Sequence, residues 1–509
     1  MLSRIVFFLL LLVCICSCTD DDILTDAASQ PSYVLNSGTS QHLGTLFPGR
    51  TTSTQKLMLY NHNDGALKLE SIRVRGGEES LFRINVDGMA GTLFDDPDYL
   101  RIARGDSLFV LLEASFMGEQ QERDVLHEDF LDIQCNGQLS SIRLTVNTHR
   151  VEELHADTIR QDTLWAAGSM DKLIYGTLFV SEGVTLAIDS GLTLYMHDKA
   201  YIDVRGTLRI QGSFDAPVRI IGDRTDSIFS NLAYEDMSAQ WMGIHFGHTS
   251  HANVIDHAQI KGMTLGITLE QDTLSATDIA TLTAPAATVP DGSPSGIAPA
   301  PYTPQLTIRN SLIKNSNQDL VQAVLTTMVI ENSCLMNSGG SLLSLSGGAY
   351  DITHCTLANY QFWTAWHAQD VMLSNWCFND SADYIPAPLY RCNFTNTLIH
   401  GNSGYKPNVY LDFCNTIDGI AVTDSIFCYR FDHCLIDADG EDDDYFIATL
   451  WGEDPMYTLV DMPNYICNPV PLPESPVIGR GNPDVVSRMP YDLNGKPRPT
   501  PPAIGCYEP

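Results

Sequence analysis

The sequence predicts an all-β protein: an N-terminal Ig-like β-sandwich followed by a right-handed parallel β-helix of about 22-residue coils. Three observations predict it. Ile308, Ile330 and Ile352 stand 22 residues apart, and so do Asn315, Asn337 and Asn359. From about residue 172 the chain alternates in short runs, with pairs such as Leu192/Leu194 and Leu208/Ile210 and turns at Gly183, Gly191, Gly206 and Gly212. That period of two marks strands and leaves no helical moment to compete. Earlier, residues 31 to 150 hold short apolar strands broken by Asn-Asp-Gly, Gly-Gly and Asp-Gly turns, the rhythm of a sandwich.

The elements follow in order. Arg4 precedes an unbroken apolar run, Ile5 to Val13, which is too short to span a membrane in a mature protein. Ile15-Cys16-Ser17-Cys18 closes the run, so residues 1–17 read as a lipoprotein signal peptide with Cys18 as the acylated residue. Cys16 is the poorer candidate because Ile15 precedes it; a plain secretory signal is the alternative. Residues 18–35, with the triplet Asp20-Asp21-Asp22, read as an acidic tether. Residues 36–150 form the Ig-like sandwich, which reads as a spacer, and 151–171 a linker or N-cap. Residues 172–465 form the β-helix and 466–509 a C-terminal cap over its open end.

The period is the circumference of a coil. Successive coils of a parallel β-helix stack about 4.8 Å apart, so each residue lies over its counterpart one turn earlier. Aliphatic columns then fill the bore, and a buried charge there would be costly. Asn315, Asn337 and Asn359 are expected to form a structural ladder of side-chain amides at one turn; Asn310 and Asn332, with His257 and His354, form a second column. Residues 271–305, rich in Ala, Thr, Pro and Ser, interrupt the rhythm. The units 255–262 and 308–315 align across them, so the segment reads as a loop inserted into the stack.

Charge limits the partners. Lys+Arg 29 against Asp+Glu 62 gives a net charge of -33, a field that repels nucleic acid. It also disfavours polyanionic glycans unless divalent cations intervene.

The segments "WMGIHF", "ANVIDHAQIKGMTLGI" and "FTNTLIHGN" resemble β-helix repeat lipoproteins of the Bacteroidetes. The ending "YDLNGKPRPTPPAIGCYEP" is similar to a closing D-x-x-G-x-x-R…D-I-G-A-Y-E motif, here with Ala503 for Asp and Cys506 for Ala. The resemblance implies a pectin-lyase-like fold. It also implies a lipid anchor in the outer membrane, with the protein facing the cell exterior, as does the acidic triplet after Cys18. It carries over no catalytic residue.

Several groups are candidates for chemistry. Trp363, Trp366 and Trp376 crowd one segment with Tyr360, Phe362, His367 and Phe378; rings on a rigid rod can stack on sugar faces or pack a loop down. Asp437, Asp439 and Asp442 in "DADGEDDD" offer hard oxygens around a Gly turn that could ligate Ca²⁺, though no closing Glu follows at the required spacing. His245, His248, His251 and His257 could share a transition metal. No Cys-x-x-Cys occurs, and Cys467 with Cys506 is a conceivable disulfide of the cap. Two function classes stay open. One is a non-catalytic, adhesin-like surface protein that binds polysaccharide, host glycan or matrix. The other is a polysaccharide lyase or glycoside hydrolase with a groove on the outer face of the helix. Against uronate chemistry, only Lys261, Arg309 and Lys314 are basic between Arg224 and Arg391.

Overall fold

The register between neighbouring coils reproduces the 22-residue spacing: Leu306 pairs with Met328 and Met328 with Tyr350, and Ile308 with Ile330 and Ile330 with Ile352. The structure is a computed structural model that describes residues 22–229, 232–270, 303–361, 368–378, 384–402, 408–414, 416, 417, 420, 421, 426–464 and 466–509. The chain divides into two compact units. One reaches to Arg150 and includes a short stretch from Thr225, and the other runs from Val151 onward.

The first unit is a two-sheet sandwich. One sheet orders Ser40–Leu46, Gln138–His149, Asp124–Cys135, Leu67–Val74 and Leu93–Phe94; the other is built on Ser107–Phe116, with Gln55–Tyr60 and Phe82–Val86 beside it. Two hairpins turn where the sequence places Asn-Gly and Asp-Gly. Asn136 and Gly137 have φ of 48° and 72°, and Asp87 and Gly88 have 46° and 97°. Left-handed backbone at both turn positions matches the twist of antiparallel strands. Along Ser107–Phe116 burial alternates, with Leu108, Val110, Leu112 and Ala114 inside. They meet Leu69, Ile72, Ile133 and Leu144 of the facing sheet.

The second unit is a parallel β-helix. One face is a 10-stranded sheet, and a 19-stranded sheet wraps the rest of the coil. A single coil contributes Leu306–Arg309, Leu312–Ser316 and Val321–Val324. Ile255 pairs with Ile308 and Ile260 with Ile313, so the stack continues across the inserted segment. The bore is aliphatic through Ile308, Ile330 and Ile352, then aromatic. Phe394, Phe431 and Phe446 stack at 4.6 and 5.0 Å between centroids.

One corner of each coil turns on a residue in left-handed backbone. His257, Asn310, Asn332, His354, Asn396 and His433 have φ of 49°, 50°, 46°, 51°, 50° and 51°. Asn is several-fold enriched in this region because its short polar side chain bonds locally. Here it bonds to the neighbouring coil: Asn332 Nδ2 donates to Asn310 Oδ1 at 2.9 Å, and Asn310 Nδ2 to Asp256 Oδ1 at 2.9 Å. In the other ladder Asn337 Nδ2 donates to Asn315 Oδ1 at 3.1 Å. Asn359 leaves that ladder. Its Oδ1 accepts from the Ser338 amide at 3.0 Å, while Asn337 Oδ1 takes the Tyr360 amide at 3.1 Å.

Two segments differ from the sequence reading. Residues 151–171 are no linker: Glu152–His155 pairs in parallel with Lys172–Tyr175, and Thr163–Trp165 with Thr185–Asp189, forming a first coil. Their apolar positions (Leu154, Ile159, Trp165) are too sparse to show a rhythm, yet all three pack against the bore. The C-terminal segment lies along the side of the stack. Arg498 Nη2 bonds Asn332, the Gly505 amide bonds the Asn396 carbonyl, and the Cys506 amide bonds Thr356 Oγ1, on successive coils.

The closing motif is the docking device. Asp492 Oδ1 accepts the Asn494 and Lys496 amides at 2.9 and 2.7 Å and shapes a tight turn. Gly505, at φ 104°, approaches the helix so closely that a Cβ would sit 2.8 Å from Thr356 Oγ1. The tail covers an outward apolar patch of Cys334, Met336, Ala358, Leu398 and Leu435 with its own Val477, Ile504 and Tyr507.

Candidate functional site

Where the tail crosses the coil corners, a groove of about 440 Å³ opens. Its floor comes from a coil-to-coil column: Asp256 pairs in register with Arg309, and Arg309 with Glu331. His257, Asn310 and Asn332 occupy the next position of each coil and line the groove as well. The tail supplies the opposite wall through Arg488, Tyr491 and Asp492.

The floor is charged but close to balanced. Asp256 Oδ2 accepts from Arg309 Nε at 2.8 Å, and its Oδ1 lies 2.8 Å from His257 Nδ1. Arg488 Nη1 lies 3.6 Å from Glu331 Oε1. Arginine forks held by one carboxylate keep other N–H groups for a ligand. Two aromatic side chains on the groove, Phe214 and Tyr491, are each 57% exposed. The Phe214 ring lies against Gly495, whose φ of 74° and missing Cβ let the tail turn close beneath it. Such rings present apolar faces beside polar donors and acceptors, the composition of a site that grips a small amphipathic ligand.

The residues singled out in the sequence fall elsewhere. Cys18, Trp363 and Trp366 lie outside the described residues, as do Phe362 and His367. Tyr360 is a packing residue: its hydroxyl meets His400 Nδ1 at 2.6 Å, and Tyr457 of the C-terminal segment stacks edge-on at 5.9 Å. Trp376 sits in a small hairpin with Phe378 and Tyr384, at 5.4 and 4.9 Å between centroids. There Phe378 and Tyr384 are the exposed rings.

The carboxylates separate likewise. Asp442 Oδ1 accepts from the Thr449 amide and Trp451 Nε1 at 3.2 and 3.3 Å, so it fixes its own loop. Asp437 is buried and lies 4.0 Å from His400 Nε2, whereas Asp439 is exposed. Among the described residues no group of three His, Cys, Asp or Glu is placed to hold a metal ion. His245 and His248 both turn to Glu270, at 3.1 and 3.8 Å, and His257 turns to Asp256.

The sequence reading missed two features. One is the groove, because its wall is contributed by a segment more than 150 positions from its floor. The other is Asp370, whose carboxyl burial pushes up to about 7. Asn408 Nδ2 donates to its Oδ2 at 2.6 Å, and the Asp370 Oδ1 is buried without a hydrogen-bond partner among the described residues.

No family model matches the chain, and no curated protein matches it. Among solved structures it is similar to the human "ASH / PapD-like domain" of CEP192 at 13% identity, over 24% of this chain and 87% of that one, with a TM-score of 0.16. It is also similar to the secreted serine protease VesC from Vibrio cholerae at 18% identity, over 24% of each chain, with a TM-score of 0.17. A third similarity is to a protein of unknown function from Porphyromonas gingivalis W83, at 16% identity over 26% of this chain and 50% of that one, with a TM-score of 0.16. Each spans about a quarter of this chain.

Proposed function

We propose that this is a lipid-anchored surface protein, acylated at Cys18, that binds uncharged saccharide units in the groove between its coil corners and its C-terminal tail. The observation that carries the reading is the pairing of exposed Phe214 and Tyr491 rings with a floor of Arg309–Asp256 and Arg488–Glu331 ion pairs. Ring faces suit the C–H faces of a pyranose, and half-used guanidinium and carboxylate groups suit its hydroxyls. The near-balanced floor and the overall charge of -33 favour a neutral sugar over a polyuronate.

Binding is favoured over glycan cleavage because the groove carboxylates are engaged, Asp256 with Arg309, Glu331 with Arg488 and Asp492 with backbone amides of its own turn. Asp370, the carboxyl that burial raises, is 0% exposed. The test is a glycan panel with the full chain, followed by Tyr491→Ala and Phe214→Ala on any neutral glycan retained. Each substitution is expected to weaken retention about tenfold, the ~1.4 kcal/mol scale of one stacking contact, with unfolding temperature unchanged. Equal retention by the double variant sinks the groove reading, and new reducing ends during incubation would replace it with hydrolysis.

A further inference from the structure

The docked tail brings two thiols together. Cys334 faces outward from the strand Cys334–Ser338, and its register partner one coil on is Thr356. The Cys506 amide donates to Thr356 Oγ1 at 3.1 Å, which sets Cys506 over the same column. Both side chains are 0% exposed, within one apolar cluster that includes Leu398, Ile504 and Tyr507. Cys506 is close enough to add to burial in raising the Cys334 thiol, and both cysteines are free in this structure. Cys467, which the sequence offered as the partner of Cys506, stands at the edge of that cluster.

We propose that Cys334 and Cys506 are a cross-linking site, and that their disulfide fastens the C-terminal tail to the flank of the β-helix. The bond would also fix Arg488 and Tyr491, which lie upstream on the same tail, against the coil corners. It stands independently of what the groove binds. In its formation each thiol loses a proton and the sulfurs join. The two electrons pass to the disulfide of a thiol oxidoreductase, which departs as a dithiol carrying the two protons. Because thiolate is the attacking species and both thiols are enclosed after docking, the exchange belongs to the stage when the tail is still open. Burial raises the Cys334 pKa well above its ordinary value, which keeps a docked but reduced tail inert. Closing a loop between positions so distant in sequence restricts the open-tail ensemble strongly.

The full chain, exported into an oxidising compartment and alkylated in denaturant without reduction, tests this by peptide mass mapping. The expected result is a Cys334–Cys506 linked peptide pair that disappears after dithiothreitol, with Cys467 alkylated. Alkylated Cys334 and Cys506 in the unreduced protein overturn the proposal, and so does a link through Cys467. A second measurement uses Cys506→Ala, which carries the small side chain usual at this place in the closing motif. Proteolytic release of the tail is expected to be about tenfold faster than in the parent, and reduction of the parent should give the same acceleration. Equal release rates from parent, reduced parent and variant would also overturn it. If the variant does not fold, the peptide map and the reduced parent still decide.

Discussion

Arg498 Nη2 donates to Asn332 Oδ1 at 2.7 Å, and this bond ties the closing motif of the chain to the amide column of the helix. The Arg498 side chain is 0% exposed, and its ion-pair partner Glu508, 3.2 Å away, is 2% exposed. Burial moves both groups toward neutrality, raising the Glu508 carboxyl and lowering the Arg498 guanidinium. Desolvation therefore outweighs the attraction within the pair. A pair of this kind dictates where the tail sits more than how strongly it is held.

Arg498→Ala is expected to be strongly destabilising, because it leaves Glu508 buried without a cation and Asn332 without a donor. The scale is about 3–5 kcal/mol for breaking a buried pair from one side. Replacing both partners, as Arg498→Met with Glu508→Leu, should return the part of that loss due to the unpaired charge, while the Asn332 oxygen and the Ala503 amide stay without their partners. Denaturant unfolding measures both variants; a loss below about 1 kcal/mol for the single change would show that the pair is not desolvated.

Asn332 combines two contributions that separate experimentally. Its side chain donates to Asn310 and accepts from Arg498, and its backbone sits at φ 46°. Asn332→Ala loses the bonds and keeps the unfavourable backbone, and about 2–4 kcal/mol is expected from the two together. Asn332→Gly loses the same bonds but relieves the backbone, so it should be about 1 kcal/mol more stable than the Ala variant. Equal stabilities for Ala and Gly would rule out the left-handed corner as a source of strain.

The columns were legible in the sequence because stacking repeats one physical demand every coil. Ile308, Ile330 and Ile352 meet the same bore, and Asn310 and Asn332 the same corner, so the period survives without an alignment. Asn359 shares the period but not the ladder. The chain enters a longer excursion after it, and the next register partner of Leu357 is Ile399 rather than a residue 22 positions on. The docked tail left a weaker trace. In "SCLMNS" and "CTLAN" the outward positions Cys334, Met336 and Ala358 are apolar, where a solvent-facing strand would be polar. That pattern marks a covered face but does not say what covers it. The groove had no local trace at all, since floor and wall meet only in the fold.

Asp370 gives the β-helix a specific pH dependence. Its folded pKa of about 7 lies above its ordinary value of 3.8, with burial as the largest cause. The unfolded chain therefore releases this proton at lower pH than the folded one. The stability from the neutral buried acid is complete below about pH 4 and is lost as pH rises toward about 7. Asp370→Asn mimics the protonated carboxyl and keeps a partner for Asn408. At pH 8 the variant should unfold at higher temperature than the parent, with an upper limit on the order of 4 kcal/mol, and the two should converge near pH 4. A constant difference between the two melting curves from pH 4 to 8 would assign the proton elsewhere.

Phe431 tests whether the coils behave as a one-dimensional stack. Its ring is fully buried between Phe394 and Phe446, nearly parallel to both at 7° and 9°. Removing it leaves a cavity in the bore whose walls are held by strand pairing on three sides, so collapse is restricted. Phe431→Ala is expected to cost about 3–5 kcal/mol. In a repeat array each coil contacts only its neighbours, so the loss should stay local. Hydrogen exchange should speed up in Leu389–Thr395 and Arg430–Asp432, while Thr185–Asp189 and Thr207–Gln211, many coils away, keep the protection of the parent. Uniform deprotection across all four strands would show instead that the β-helix opens as one cooperative body.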